Sequence, residues 1–142
     1  MITQTLSPQS MEVLRSYLRL PFPNKNISCP YFNNRRAKVR GALRVQVGKG
    51  TPQEIAEEAR MFAFKDKIDL GSLADENLRR FLVDHNLGVD CSALVYHILD
   101  AESKARGQGP LKKHLKFPNI KNPLRKLLTK LRTVENVSVE IL

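Results

Sequence analysis

The sequence has no tryptophan and only two cysteines, Cys29 and Cys91. Their wide separation makes neither a metal-ligand spacing nor a disulfide framework, so free thiols in a reducing compartment are expected and no metal or cofactor is implied. No apolar run approaches the roughly 20 residues that a membrane span requires. The opening MITQTLSPQSMEVLRSY lacks a basic start, an apolar middle and a small-residue cleavage site. No Sec-type signal is therefore visible, and a cytoplasmic location is the default expectation, with secretion by another route left open. Low-complexity tracts and internal repeats are missing too, which sets aside collagen-like and mucin-like classes. What remains is a chain of 142 residues, about one domain and long enough to bury a core.

Another absence is local. Between Lys104 and Arg132 there is no Asp or Glu, while Lys104, Arg106, Lys112, Lys113, Lys116, Lys121, Arg125, Lys126, Lys130 and Arg132 all carry positive charge. Those ten account for the whole formal charge of +10, because the other fourteen basic residues meet fourteen acidic ones. The chain reads as a neutral body with one cationic segment, and an anionic partner should meet that segment.

Along the chain, Ser7-Pro8 is an N-cap and first-turn signal, and Met11, Leu14 and Leu18 recur at helical spacing, predicting a helix over Ser7–Arg19. LPFPNKNISCPYFNN reads as an irregular connection. Ala42–Val47 (ALRVQV) alternates apolar and polar residues and is the best early strand candidate. Thr51-Pro52-Gln53-Glu54 is a capping box, followed by Ile55, Ala59, Phe62 and Ala63 on one helical face to about Phe64. A third helix is expected over Asp75–His85 with Leu78, Phe81 and Leu82 inward, and Gly88 suits its C-cap. Asp90 suits the N-cap of a helix whose apolar stripe is Leu94, Val95, Ile98, Leu99 and Ala101. Pro110–Lys116 predicts a short helix, Asn122-Pro123 starts another, and the final VENVSVEIL reads as a strand without a visible partner.

Cys91 admits two readings from its residues. At the first position of a helix, free N–H groups and the positive end of the dipole favour a thiolate, the form that attacks carbonyl carbon, while the adjacent Asp90 opposes it. Alternatively, lying three and four residues before Leu94 and Val95, it sits on the apolar stripe as a small buried residue.

GVDCSALV resembles the nucleophile motif of the NlpC-type cell-wall cysteine peptidases, usually Asp-Cys-Ser-Gly-Leu/Phe-Val at the start of a helix. Asp90, Cys91, Ser92, Leu94 and Val95 match it, and Ala93 stands where glycine is usual. CPYFNN is weakly similar to the family's Pro-Tyr segment, which would make Tyr31 the tyrosine lining the site. The resemblance covers about eight residues and implies a papain-like fold, a thiol protease or amidase cleaving peptidoglycan stem peptides, and Cys91 as nucleophile. Asp90 and Ser92 would then shape the helix N-terminus, and the Cys91 or Ser92 N–H would serve as oxyanion donor.

A thiol attacking an amide needs a base within hydrogen-bond reach. His97 stands six residues along the same helix, about 9 Å away by rise. His85 ends the preceding helix and reaches Cys91 only if the loop folds back, and His114 belongs to the basic stretch KKHLKF. In the family the histidine follows on a later strand, typically after a glycine, and no Gly-His follows Cys91. The expectation is accordingly a fragment whose histidine lies beyond Leu142, unable by itself to turn over substrate.

Other constellations are weaker. VGKGT lacks the glycine a phosphate loop needs at position 43, which is Leu43. Asp66, Asp69, Asp75 and Glu76 do not have calcium-loop spacing. Arg35, Arg36, Lys38, Arg40 and Arg44 form a second basic run near Tyr31 and Phe32, suited to a solvated edge or to single-stranded nucleic acid. The serious rival is NPLRKLLTKLR, with four leucines at i, i+3, i+4 and i+7 and Arg125, Lys126, Lys130 and Arg132 between them. Such a helix can lie on an anionic membrane, clamp a nucleic-acid backbone, meet anionic cell-wall polymer, or dock its leucines on the core.

The expected fold class is therefore α+β: the helix-rich N-terminal part of a papain-like (NlpC-type) fold with an incomplete sheet. The chain is divided into a mixed body carrying the cysteine helix (1–103), the cationic segment (104–132) and a possible strand (133–142). The expected function is a cysteine peptidase or amidase-like module. The alternative is a non-enzymatic module using Lys112, Lys113, Arg125, Lys126, Lys130 and Arg132 to bind nucleic acid or an anionic surface.

Overall fold

The computed structural model describes residues 5–33, 44–115, 121–124 and 127. Its helices are α1 (Pro8–Leu18), α2 (Pro52–Asp66), α3 (Asp75–Asp84) and α4 (Cys91–Ala105), with short 3-10 turns at Arg44–Val47, Leu70–Ser72 and Leu111–Lys113. Among the described residues there is no strand, only isolated bridges of Val89 with Tyr31 and with Lys49. The fold class is all-α, which overturns the expected α+β, papain-like class. Arg44–Val47, four of the six residues of the expected Ala42–Val47 strand, shows why. Its alternation buries Val45, yet its carbonyls are taken locally, Arg44 by Lys49 N–H at 3.0 Å and Val45 by Gly48 N–H at 3.4 Å. Alternation makes a strand only where a partner ladder exists, and here the turn closes first. Ala42, Leu43, the run Arg35–Arg40 and VENVSVEIL lie outside the described residues.

By compactness the chain divides into two units, Leu14–Cys91 and Met1–Val13 with Ser92–Leu142. In the first, Ile55, Ala56, Ala59 and Ala63 of α2 are buried together with Leu78, Phe81 and Leu82 of α3, Tyr17 at the end of α1, and Leu20, Ile27 and Leu87 from the connections. The capping box at α2 forms as expected: Thr51 Oγ1 accepts the Glu54 N–H at 3.3 Å and Glu54 Oε2 accepts the Thr51 N–H at 2.7 Å. Lys67, in the left-handed region, ends the helix. Leu20–Asn33 is irregular, as read, and is tied down by Cys29 N–H to Tyr17 O (2.8 Å) and Tyr17 Oη to Gly50 O (2.9 Å).

The α3 C-cap departs from expectation. His85 caps the helix through Phe81 O, and the positive φ belongs to Asn86 (55°). Gly88 serves close approach instead, since a Cβ there would stand 2.5 Å from Pro30 O.

In the second unit, Ser7 Oγ caps α1 by accepting the Ser10 N–H at 3.2 Å. The carboxylate of Glu102, on α4, accepts the Ser7 N–H (2.8 Å) and the Ser10 hydroxyl (2.6 Å), while Arg106 Nε lies 2.7 Å from its other oxygen. These bonds, led by the Ser10 hydroxyl, hold the Glu102 carboxyl down at about 2. Glu102 supplies from another helix what the glutamate of a capping box supplies within its own, and it sits at the positive end of α1. The face of α1 that is buried carries Ser10 and Tyr17, whereas Leu18 of the expected stripe is exposed. On α4 the buried residues are Ala93, Glu102 and Ser103, and the expected stripe Leu94, Val95, Ile98, Leu99 and Ala101 is half-buried.

Candidate functional site around Cys91

Three backbone bonds position the chain just before α4. Phe32 N–H donates to Val89 O (2.9 Å), Val89 N–H to Pro30 O (3.0 Å) and Asp90 N–H to Gly48 O (2.9 Å). Gly88 lets Pro30 approach, so the segment before Cys91 is held on both sides. The Asp90 carboxylate then meets Lys49 Nζ at 2.5 Å, and the side chains of the pair are only 10% (lysine) and 19% (aspartate) exposed. The negative charge next to the thiol is thus a neutralised one.

Cys91 itself is exposed, not packed among the core residues as its place on the apolar stripe allowed. Its first-turn neighbour Ser92 is half-buried. Tyr31 is exposed, and its backbone bridges Val89, two residues before Cys91. Tyr31 also borders a shallow cavity of about 380 Å³ with Asn33, Val83 and Asn86. Cys91 is not among the residues lining it.

Cys29 differs in every respect. Its Sγ–H faces Pro30 O at 3.6 Å, and burial pushes the thiol up to about 12 despite the Val89 backbone and the positive charge of Arg79. Cys29 is a half-buried thiol.

The histidines have other partners. His85 Nδ1 lies 2.8 Å from Phe81 O and Nε2 3.0 Å from Asp66 Oδ2, with its ring against Phe62 and Phe81. His97 packs edge-on to Tyr96. His114 Nε2 meets Gln108 O at 2.8 Å. Among the described residues no group of three His, Cys, Asp or Glu side chains could hold a metal ion. Thr51 and its N–H are occupied within the capping box, so VGKGT is a turn before a helix.

Lys49 is the residue that sequence reasoning missed. It lies 41 residues from Asp90 in the chain, and no local spacing announces such a pair.

The cationic segment is also refined. Lys104 pairs with Asp100 at 2.5 Å and Arg106, just past the end of α4, with Glu102 at 2.7 Å, so both have a carboxylate partner on α4. Lys112, Lys113 and Lys121 are exposed, and Leu124 and Leu127 are 67% and 55% exposed. Lys116, Arg125, Lys126, Lys130 and Arg132 lie outside the described residues. No described helix is long and apolar enough to cross a membrane.

No family model, no curated protein and no solved structure matches the chain.

Proposed function

We propose that the chain carries the nucleophile of a cysteine hydrolase acting on peptide amides, with Cys91 as the attacking residue on an all-α scaffold. The observation that carries this reading is an exposed thiol at the first residue of a 15-residue helix, beside a carboxylate already neutralised by Lys49. The Asp-Cys-Ser sequence supports it, as does the place of the thiol at the start of a helix, where the dipole favours developing negative charge. In this reaction Sγ bonds to the amide carbon, the C–N bond breaks and the amine leaves with a proton. Water then hydrolyses the thioester and restores the thiol. His85 is held by Phe81 O and Asp66, and His114 by Gln108 O; the reaction requires a base within reach of the sulfur. A stem peptide of peptidoglycan is one substrate of this class. A reducing cytoplasm would keep the thiol free.

The test is labelling by a peptidyl vinyl sulfone, followed by mass spectrometry. Saturable modification of Cys91, faster than that of glutathione and absent in Cys91→Ser, supports the reading. A linear rate equal to that of glutathione, or modification of Cys29 alone, sinks it.

A second reading rests on a separate observation, the exposure of Lys112, Lys113, Lys121, Leu124 and Leu127. In that reading the segment attaches the module to an anionic polymer or lipid surface. Binding to duplex DNA or to phosphatidylserine vesicles should then fall steeply with salt and vanish when Lys126, Lys130 and Arg132 are neutralised together. Salt-independent binding, or none, excludes it.

A further inference from the structure

The unit Leu14–Cys91 carries a groove unrelated to Cys91. It has a volume of about 390 Å³ and lies between the end of α2 and the Phe22–Lys25 connection. Phe22 and Ala63 are buried members of its lining, and Ile68 and Leu70 belong to it as well. Phe64, 86% exposed, also borders it. The walls are fixed: α2 is capped at both ends, and Asp69 closes the turn after it by accepting the Gly71 N–H at 3.0 Å.

The apolar surface continues past the groove. Met61, 67% exposed, precedes Phe64 by three residues on α2, so the two form an apolar stripe that runs about one helical turn past the groove. A stripe longer than its cavity fits a helical segment better than a small molecule.

Charge selects the occupant. Lys25 and Arg60 stand at the groove, each held by a backbone carbonyl, Lys25 by Leu73 O and Arg60 by Pro21 O at 3.1 Å. Each retains further N–H donors. The lone carboxylate of the lining, Asp69, is engaged with Gly71. Exposed Lys65 and Lys67 flank the same helix end, where Asp66 faces His85. A second copy of a chain of net charge +10 would be repelled by such a rim.

We infer that this groove docks an acidic amphipathic helix of a partner protein, its apolar anchors seated on Phe64, Ile68 and Phe22 and its carboxylates on Lys25 and Arg60. The mode is helix-in-groove recognition with charge complementarity setting specificity.

The test uses a labelled synthetic helix with leucines at i, i+3, i+4 and i+7 and glutamates elsewhere, titrated with the full chain by fluorescence anisotropy. Amide chemical shifts of the protein locate the contact. Docking at the groove predicts shifts at Phe64, Ile68 and Leu70, and about tenfold or greater weakening by Phe64→Ser with Ile68→Ser. Arg60→Gln, on an exposed side chain, should weaken binding severalfold and serves equally if the double variant loses its helical signal. A peptide with lysines in place of the glutamates should bind at least about tenfold more weakly. Lys112→Gln with Lys113→Gln and Lys121→Gln should leave affinity unchanged, which separates docking from attraction to the cationic segment. The inference is overturned by equal affinity in the groove variants, by shifts confined to residues 112–124, or by self-association of the wild type that Phe64→Ser abolishes.

Discussion

Lys49 Nζ lies 2.5 Å from Asp90 Oδ2, joining the second residue past the 3-10 turn Arg44–Val47 to the residue before α4. With side chains 10% and 19% exposed, both partners are largely out of water. Removing one takes the ion pair from a charge that stays largely buried, which costs more than the intact pair contributes. Lys49→Met should therefore destabilise the fold by about 2–3 kcal/mol in urea unfolding, and Lys49→Met with Asp90→Asn should recover more than half of that loss. A double variant as unstable as the single one would show that Lys49 acts through packing and not through its charge.

Gly88 makes a sharper demand. A methyl group there meets the Pro30 carbonyl oxygen at 2.5 Å and its carbon at 3.2 Å, both backbone atoms. Gly88→Ala should cost about 2 kcal/mol or more, because the Val89 bonds to Pro30 and Phe32 must open. The urea midpoint should fall with an unchanged slope. If Gly88→Ala is as stable as wild type, the close approach is relieved by an easy shift of Pro30.

The two thiols should part cleanly with iodoacetamide at pH 8, one reacting in the native protein and the other only on unfolding. Exposed Cys91 takes up the reagent, whereas Cys29 waits. Burial raises the Cys29 thiol from its ordinary 9.0 to about 12. Its folded-state value lies above the unfolded one, so its contribution to stability is complete below about 9 and disappears as pH rises from there through about 12. Cys29→Ala should accordingly flatten the alkaline loss of stability between those limits. Peptide mapping that finds Cys29 modified first would refute the assignment.

Glu102 governs the acid side. The Ser10 hydroxyl, then Ser7 and Arg106, lower its carboxyl from 4.5 to about 2. A depressed folded-state value means stability that is fully present above about 4.5 and is lost as pH falls toward 2. Thermal melts followed by circular dichroism should show a steeper decline over that range for the wild type than for Glu102→Gln. Parallel pH profiles would show that the Ser7–Ser10–Glu102 bonds do not couple to folding.

Much of the helical framework is written locally. Thr51 and Glu54 are three residues apart and satisfy each other wherever a helix follows, so the box at α2 was readable from four residues. Leu78, Phe81 and Leu82 share a face by helical spacing and are buried, as predicted. Arg44–Val47 was misread because alternation describes a face and not a partner, and its backbone bonds close locally. Gly88 was misread for a related reason: its need is a neighbour 58 positions away in sequence, Pro30, and not a helix end.

By itself the sequence determined where helices start, which of their faces turn inward in α2 and α3, and that the excess charge lies in residues 104–132. Those properties depend on groups within a few residues of one another. Only the tertiary structure decided that the described chain is all-α, that Cys91 faces solvent while Cys29 is half-buried, and that Lys49 answers Asp90. Each of these depends on what a distant segment presents. Spacing along a chain specifies a face, and only the folded chain supplies what meets it.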